Sequence, residues 1–342
     1  MRILNIMLAK ARGGVESMAA RYHEALEATG HEVRSLGHPE GTLFRALSQA
    51  DVDPVVARFN HDPLAALRIS RQIDRFRPDL ILAHGNRAIG LCLLLDGNVR
   101  RRTVAVMHNA FIKPHLRHAA AAICVSPNVR DAVVTHCPGV KTVVVGNFLN
   151  LDERPVRPHI PHAPRIGALG RLHHQKGFDL LLEACAEWRK SGLPAHVQIA
   201  GDGPEHQKLR AQRDRLGLQE MVTFLGWVSP VADFLQGLDL LVVPSRYEPF
   251  GLVVIEALAA GTPVVACDVE GPNEILQAGR FGALFRTGIA ADLSRAVRES
   301  LSAHAITRRR TLEGQRAVLE AYGFSSGKAR LADAVEEIYV AA

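Results

Sequence analysis

At 342 residues, with 47% hydrophobic and 22% charged side chains, the chain is long for one domain and has the balance of a soluble α/β protein with room for two cores. No apolar run approaches the ~20 residues that a membrane span needs, and MRILNIMLAK leads directly into a strand, which leaves no signal-peptide reading. The net charge of +6 sits in the first half, where residues 1–150 hold 19 Lys and Arg against 12 Asp and Glu, while residues 151–342 hold 22 against 23; with aromatics at 5% and no recognition module nucleic acid is not the expected partner, and the charge suits an anionic membrane surface, an anionic acceptor or an ordinary solvated basic face.

In chain order, Arg2 to Met7 reads as a buried strand and Leu8 to Gly14 as a loop ending in Gly13-Gly14, a pair that permits close backbone approach to a ligand or a tight turn. A helix follows from Val15 to Ala28, with Val15, Met18, Ala19, Tyr22 and Leu26 on one stripe and Gly30 past its end. His31-Glu32-Val33 opens a second strand. Asp51 to Arg77 reads as helices, Asp79 to His84 as a strand, and Arg102 to His108 as another. Both histidines stand at carboxyl ends of strands, the functional edge of such sheets; His84 also suits a purely structural role. Ala121 to Ser126 and Thr142 to Val145 complete the first sheet. The basic residues gather here, as Arg68, Arg71, Arg75 and Arg77, and as Arg100-Arg101-Arg102 with Lys113 and Arg117.

Pro155, Pro158, Pro161 and Pro164 recur every third residue, a spacing that suits an extended connector and places a domain boundary. The second half opens with the strand Ile166 to Leu169 and then GRLHHQKGF. Arg171 and Lys176 flank a flexible loop at a strand end, where a guanidinium and an ammonium suit a diphosphate. His196 to Ala200 is a strand running into the turn Gly201-Asp202-Gly203-Pro204 and a helix to Arg215. Val222 to Leu225 and Gly226-Trp227-Val228 follow.

Leu238 to Val243 reads as a buried strand, Pro244 to Gly251 as a loop, Leu252 to Ala260 as a helix ended by Gly261, and Val264 to Cys267 as a strand. In this βαβ unit Glu248 lies in the loop and Glu256 in the helix, so both can border one crevice. An acid among Val253, Val254, Ile255, Ala257 and Leu258 needs a partner, and a ribose diol offers two donors. The backbone N–H groups near Gly251 to Val253 suit a phosphate. The cysteines, Cys92, Cys124, Cys137, Cys185 and Cys267, are dispersed and odd in number, which favours reduced thiols in cytoplasm over a disulfide framework or zinc site.

The stretch PSRYEPFGLVVIEALAAGTPVV resembles the E-x7-E motif of glycosyltransferase family 4, retaining enzymes of the GT-B fold. G-R-L-x-x-x-K-G is similar to the family's diphosphate segment, G-G-V-E at Gly13 and Gly14 to its N-terminal G-G-x-E, His108 to its strand-end histidine, and Gly271 to Glu274 to its G-x-x-E. The resemblance implies an α/β GT-B chain: two Rossmann-like domains facing a cleft, 1–155 for the acceptor and 156–325 for the nucleotide sugar, with 326–342 as a helix returning to the first.

It further implies retaining, metal-independent transfer of a hexose-type sugar from a UDP- or GDP-sugar, GDP-mannose among them, to a hydroxyl of a glycan or glycolipid in lipopolysaccharide or cell-envelope synthesis. On that reading Glu256 holds the ribose, and Arg171 and Lys176 hold the leaving diphosphate. Glu248, with the backbone of Phe250, Gly251, Leu252 and Val253, meets sugar and phosphate; His108 orients the sugar. Gly201, Gly203, Trp227 and Val228 lie near the base. No cofactor or metal is expected; the dispersed thiols lead one to expect a cytoplasmic enzyme, and the basic first half suits a peripheral place at the inner face of the plasma membrane, a soluble acceptor being the alternative. An epimerase or phosphorylase of the same fold, or a non-catalytic sugar-nucleotide-binding protein, are the alternatives.

Overall fold

The computed structural model describes residues 1–10 and 13–341, so the middle of the expected loop before Gly13 lies outside the described residues. The chain forms two compact units, Met1–Asn150 with Tyr322–Ala342, and Leu151–Ala321. The first holds seven strands: β1 (Arg2–Met7), β2 (Glu32–Gly37), β3 (Val52–Pro54), β4 (Leu80–His84), β5 (Thr103–Met107), β6 (Ala121–Cys124) and β7 (Lys141–Val144). They pair in parallel in the order β3-β2-β1-β4-β5-β6-β7. The second holds β8 (Arg165–Leu169), β9 (His196–Ala200), β10 (Val222–Gly226), β11 (Leu240–Val243), β12 (Val264–Cys267) and β13 (Ala283–Phe285), parallel in the order β10-β9-β8-β11-β12-β13. These are the Rossmann-like sheets expected of the sequence.

Parallel strands are covered on both faces and so read as continuous apolar runs, which is why β4, β5, β11 and β12 are buried at every position. In each sheet the strand order reverses once, between β1 and β4 and between β8 and β11. Those reversals open a crevice at the carboxyl ends of the strands. The two reversals are fastened alike. Asp79, just before β4, donates its N–H to Arg2 O (2.7 Å) and accepts the Arg2 N–H on its carboxylate (2.7 Å). Asp239, just before β11, makes the same pair with Arg165, at 2.8 and 2.8 Å.

The first core includes Ile3, Tyr22, Leu82, Val104 and Phe148 and takes in Leu331 and Val335 from the helix Phe324–Ala341. The second gathers Ile166, Leu181, Trp188, Val197, Val265 and Val297. The stretch expected to be helical throughout, Asp51 to Arg77, begins instead with β3; the three-residue edge strand pairs only with β2 and is too short to show a period. The helix Pro63–Phe76 follows, capped by the Asp62 carboxylate.

The proline-spaced segment is irregular, as its composition predicts, but it is not a free connector. Arg154 N–H donates to Ala259 O, and the Gln315 side chain donates to both Arg154 O (2.6 Å) and Ala259 O (2.9 Å). Arg154 pairs with Asp233, and Arg157 with Asp239 at 2.8 Å. These bonds tie residues 154–157 into the second unit and put the division at Asn150/Leu151, ahead of the 155/156 read from the prolines. The Asp239 side chain is fully buried. Its removal leaves the Arg165 N–H without its acceptor and leaves Arg157 only its bond to Gln236 O, so Asp239→Ala should cost about 2–3 kcal/mol, measured as a lowered urea midpoint; an unchanged midpoint would refute this role for Asp239.

Candidate functional site

At the reversal in the second sheet, the loop after β8 runs from Gly170 to Gly177 and the loop after β11 from Pro244 to Gly251. They touch because residue 177 is glycine. It adopts φ +67°, and a Cβ there would lie 1.9 Å from Pro244 O. Arg246 then locks the loops together: its N–H donates to Gln175 O (2.7 Å), and its guanidinium grips Asp179 bidentately, both bonds 2.7 Å. Burial raises the Asp179 carboxyl, but Arg246 outweighs it and holds the acid below its ordinary range. This clamp is not legible in the sequence, since its partners are 67 positions apart and neither is a fixed position of the motifs around them.

The clamp brings Lys176 to Glu248, Nζ to Oε2, 2.5 Å apart. Glu248 is only 8% exposed and also accepts from Ser245 Oγ at 3.4 Å, while its carbonyl accepts the Gly271 N–H. Its acid is therefore paired within the protein rather than solvated. Gly251, at φ +102°, starts the helix Leu252–Ala259. Val254, Ile255, Ala257 and Leu258 of that helix are buried, and Phe250 before it also. Leu252, Val253 and Glu256 are half-buried on the remaining face, at a helix start whose first N–H groups have no partner one turn earlier in the helix. Glu256 has a partner in the protein. Arg171 is exposed.

The neighbouring loops close on the same edge. A Cβ on Gly201, φ +122°, would sit 1.9 Å from Gly170 O, and Leu172 N–H donates to Asp202 O, beside Gly203. Gly201 N–H in turn donates to Gly226 O at 2.7 Å, so the loop carrying Trp227 and Val228 is anchored at its root. Trp227 is 62% exposed, which a packing residue would not be. One sheet edge thus gathers an ammonium, an exposed guanidinium and a helix start, groups whose chemistry suits an anion, with carboxylates whose chemistry suits hydroxyl groups.

In the first unit Gly13 is extended at the start of the helix Gly14–Glu27, and Gly14 is exposed. A Cβ on Gly13 would meet only the end of the flexible Glu16 side chain, so the backbone does not require glycine there. His84 ends β4, and His108 follows the adjacent β5. His84 Nδ1 and His108 Nε2 are 3.1 Å apart, and the rings stack with centroids separated by 5.3 Å. The adjacency was latent in two histidines at neighbouring strand ends; the bond was not. Among the described residues no group of His, Cys, Asp or Glu side chains is arranged to hold a metal ion, and the five cysteines are buried free thiols.

Burial pushes His108 down to about 4, and burial together with His108 pushes His84 well below the ordinary histidine range. Folded-state values below the unfolded ones mean that the unfolded chain binds more protons, so stability falls as the pH drops from about 6.5 toward 4. The slope should reach up to about 1.4 kcal/mol per pH unit for each histidine. Chemical unfolding between pH 7 and 4.5 should show this loss and His84→Phe should make it shallower; equal slopes would disprove the assignment.

Residues 152–317 match the family described as Glycosyl transferases group 1, and residues 12–153 match Glycosyltransferase Family 4. The lipopolysaccharide core biosynthesis glycosyltransferase LpsE of Rhizobium meliloti is 27% identical, covering 76% of this chain and 78% of its own. A phosphatidyl-myo-inositol mannosyltransferase of Propionibacterium freudenreichii is 30% identical, covering 72% and 68%. The crystal structure of HepE from Anabaena, solved with UDP and glucose, superposes with a TM-score of 0.85 over 98% of this chain and 100% of its own, at 20% identity, which bears on the fold alone. With both halves matched and a 30% relative across most of its length, this chain belongs to glycosyltransferase family 4, with the GT-B fold.

Proposed function

We propose that this glycosyltransferase moves a hexose-type sugar, with retention, from a UDP- or GDP-sugar to a hydroxyl of a glycan or glycolipid acceptor of the cell envelope. The observation that carries the reading is the Lys176–Glu248 contact at the second sheet's reversal, beside exposed Arg171 and the start of the helix Leu252–Ala259. Arg171, Lys176 and the first-turn amides offset the negative charge that grows on the departing diphosphate. Glu256 takes the ribose hydroxyls, Glu248 the sugar hydroxyls, and His108 orients the sugar. The bond from C1 to the phosphate oxygen breaks as the bond from C1 to the acceptor oxygen forms on the same face, and the acceptor's proton passes to the departing phosphate oxygen. Cationic side chains do here what a divalent metal does elsewhere, so the transfer is metal-independent.

The acceptor side draws on the first unit's charge. The helix Pro63–Phe76 buries Ala65, Ile69, Ile73 and Phe76 and turns Leu64, Leu67, Arg68, Arg71 and Arg75 to solvent, with Leu64 67% exposed. Exposed leucines in the first turns followed by arginines are the composition of a face that meets anionic lipid headgroups. Among the described residues no helix is long and apolar enough to cross a membrane.

Nucleotides that bind only the folded protein raise its melting temperature. One of UDP, GDP or their sugars should do so with EDTA present, and Glu256→Ala or Lys176→Ala should abolish the shift; no shift with any of them, or one that needs added Mn²⁺, would refute the donor reading. At about 1 kcal/mol per arginine, Arg68→Ala, Arg71→Ala and Arg75→Ala combined should weaken flotation with phosphatidylglycerol vesicles roughly a hundredfold. Equal binding to purely zwitterionic vesicles would count against the membrane partner.

A further inference from the structure

The histidine pair of the first unit carries more than one buried side chain's worth of chemistry. Tyr22, on the helix Gly14–Glu27, stands edge-on to His84 with ring centroids 5.0 Å apart, and His84 stacks on His108. The two rings share one hydrogen bond, between His84 Nδ1 and His108 Nε2. Their outer nitrogens, His84 Nε2 and His108 Nδ1, are buried without a hydrogen-bond partner among the described residues, as is the Tyr22 hydroxyl. A buried polar atom without a partner costs free energy, so these three atoms mark an unfinished network.

Two neutral imidazoles carry two protons on four nitrogens. One proton occupies the bond between the rings, so only one of the two outer nitrogens carries the other. If His84 Nδ1 donates inward, His84 Nε2 is a bare acceptor and His108 Nδ1 bears N–H. If His108 Nε2 donates, the outer nitrogens exchange roles. What faces one end of the pair therefore sets the character of the other end. His84 is 1% exposed and His108 8%, and a buried N–H left without an acceptor is rarer than a buried acceptor left without a donor. The outer proton therefore belongs on His108, the ring nearer the surface, and the bare nitrogen on His84.

We propose that His84 is a positioning residue: its Nδ1–H donates to His108 Nε2 and holds His108 in the tautomer that presents Nδ1–H to a ligand oxygen. The proposal rests on the reading of His108 as a sugar contact. Its value to the reaction is pre-organisation, because free neutral histidine favours the opposite tautomer, and a donor fixed before binding needs no rearrangement when the substrate arrives.

The test is long-range ¹H–¹⁵N NMR at pH 7 of the full chain labelled with ¹⁵N-histidine and free of ligand, the His108 signals being assigned by their loss in His108→Asn. The wild type should show His108 with its proton on Nδ1. His84→Phe should move it toward Nε2, and His84→Asn, whose amide N–H takes the place of Nδ1–H, should keep it. In release of UDP from UDP-glucose or GDP from GDP-mannose, His84→Phe should lower kcat roughly tenfold to a hundredfold with KM nearly unchanged, and His84→Asn should recover most of the loss. His84→Gln, which reaches only the place of Nε2, replaces the phenylalanine variant if that one fails to fold. A wild-type His108 protonated on Nε2, or a tautomer indifferent to the change at His84, overturns the inference. A fully active His108→Ala would instead remove the sugar-contact reading and leave the tautomer result standing.

Discussion

Two loops meet at the reversal of the second sheet only because one residue between them has no side chain. Gly177 lies under the Pro244 carbonyl, at a distance that no Cβ tolerates, in a backbone conformation that L side chains rarely adopt. Everything chemical in that unit follows from the contact. It lets the Arg246 N–H reach Gln175 O, which aims the guanidinium at Asp179, and that clamp in turn sets Lys176 against Glu248. A bidentate pair whose partners are each about a quarter exposed keeps more of its strength than a fully solvated pair does, because less water competes for the same bonds.

The two units handle buried polarity in opposite ways. In the second, charges are kept and paired: Glu248 with Lys176, Asp179 with Arg246, Asp239 with Arg157 and the Arg165 N–H. Paired charges at a crevice suit a ligand that is itself charged, since each can exchange part of its bonding with a phosphate or a hydroxyl. In the first unit, the functional edge carries neutral imidazoles, which burial keeps uncharged. Neutral groups there present direction rather than charge, and direction is set by which nitrogen holds the proton.

Both sheets nevertheless share one construction rule. Asp79 and Asp239 occupy equivalent places before β4 and β11 and make the same reciprocal bonds to the first residue of the neighbouring strand. Those strands flank each reversal, so the carboxylate fixes their stagger from their amino ends. Asp239 has the further duty of holding Arg157, which straps the proline-spaced segment to the second unit.

Much of this was legible in the chain itself. Continuous apolar runs closed by glycine and proline mark buried parallel strands, and helical stripes between them mark the crossovers, because a sheet covered on both faces admits no other pattern. The order of sites along the chain follows too: the strand ends bearing His84 and His108 lie at the carboxyl edge of the first sheet, and those leading to Arg171 and Glu248 at the carboxyl edge of the second, by topology alone. What local sequence could not carry is which of these groups touch. The pairing of Asp179 with Arg246, of Lys176 with Glu248 and of His84 with His108 joins residues 67, 72 and 24 positions apart. No period or spacing encodes them, because each depends on how adjacent strands end and how closely their loops approach. The edge strand β3 was hidden for the complementary reason, its three residues being too few to display a period. Sequence determined the two Rossmann-like sheets and the residue types at their edges; tertiary structure decided which of those residues are neighbours, since contact across a sheet is a property of packing and not of the local chain.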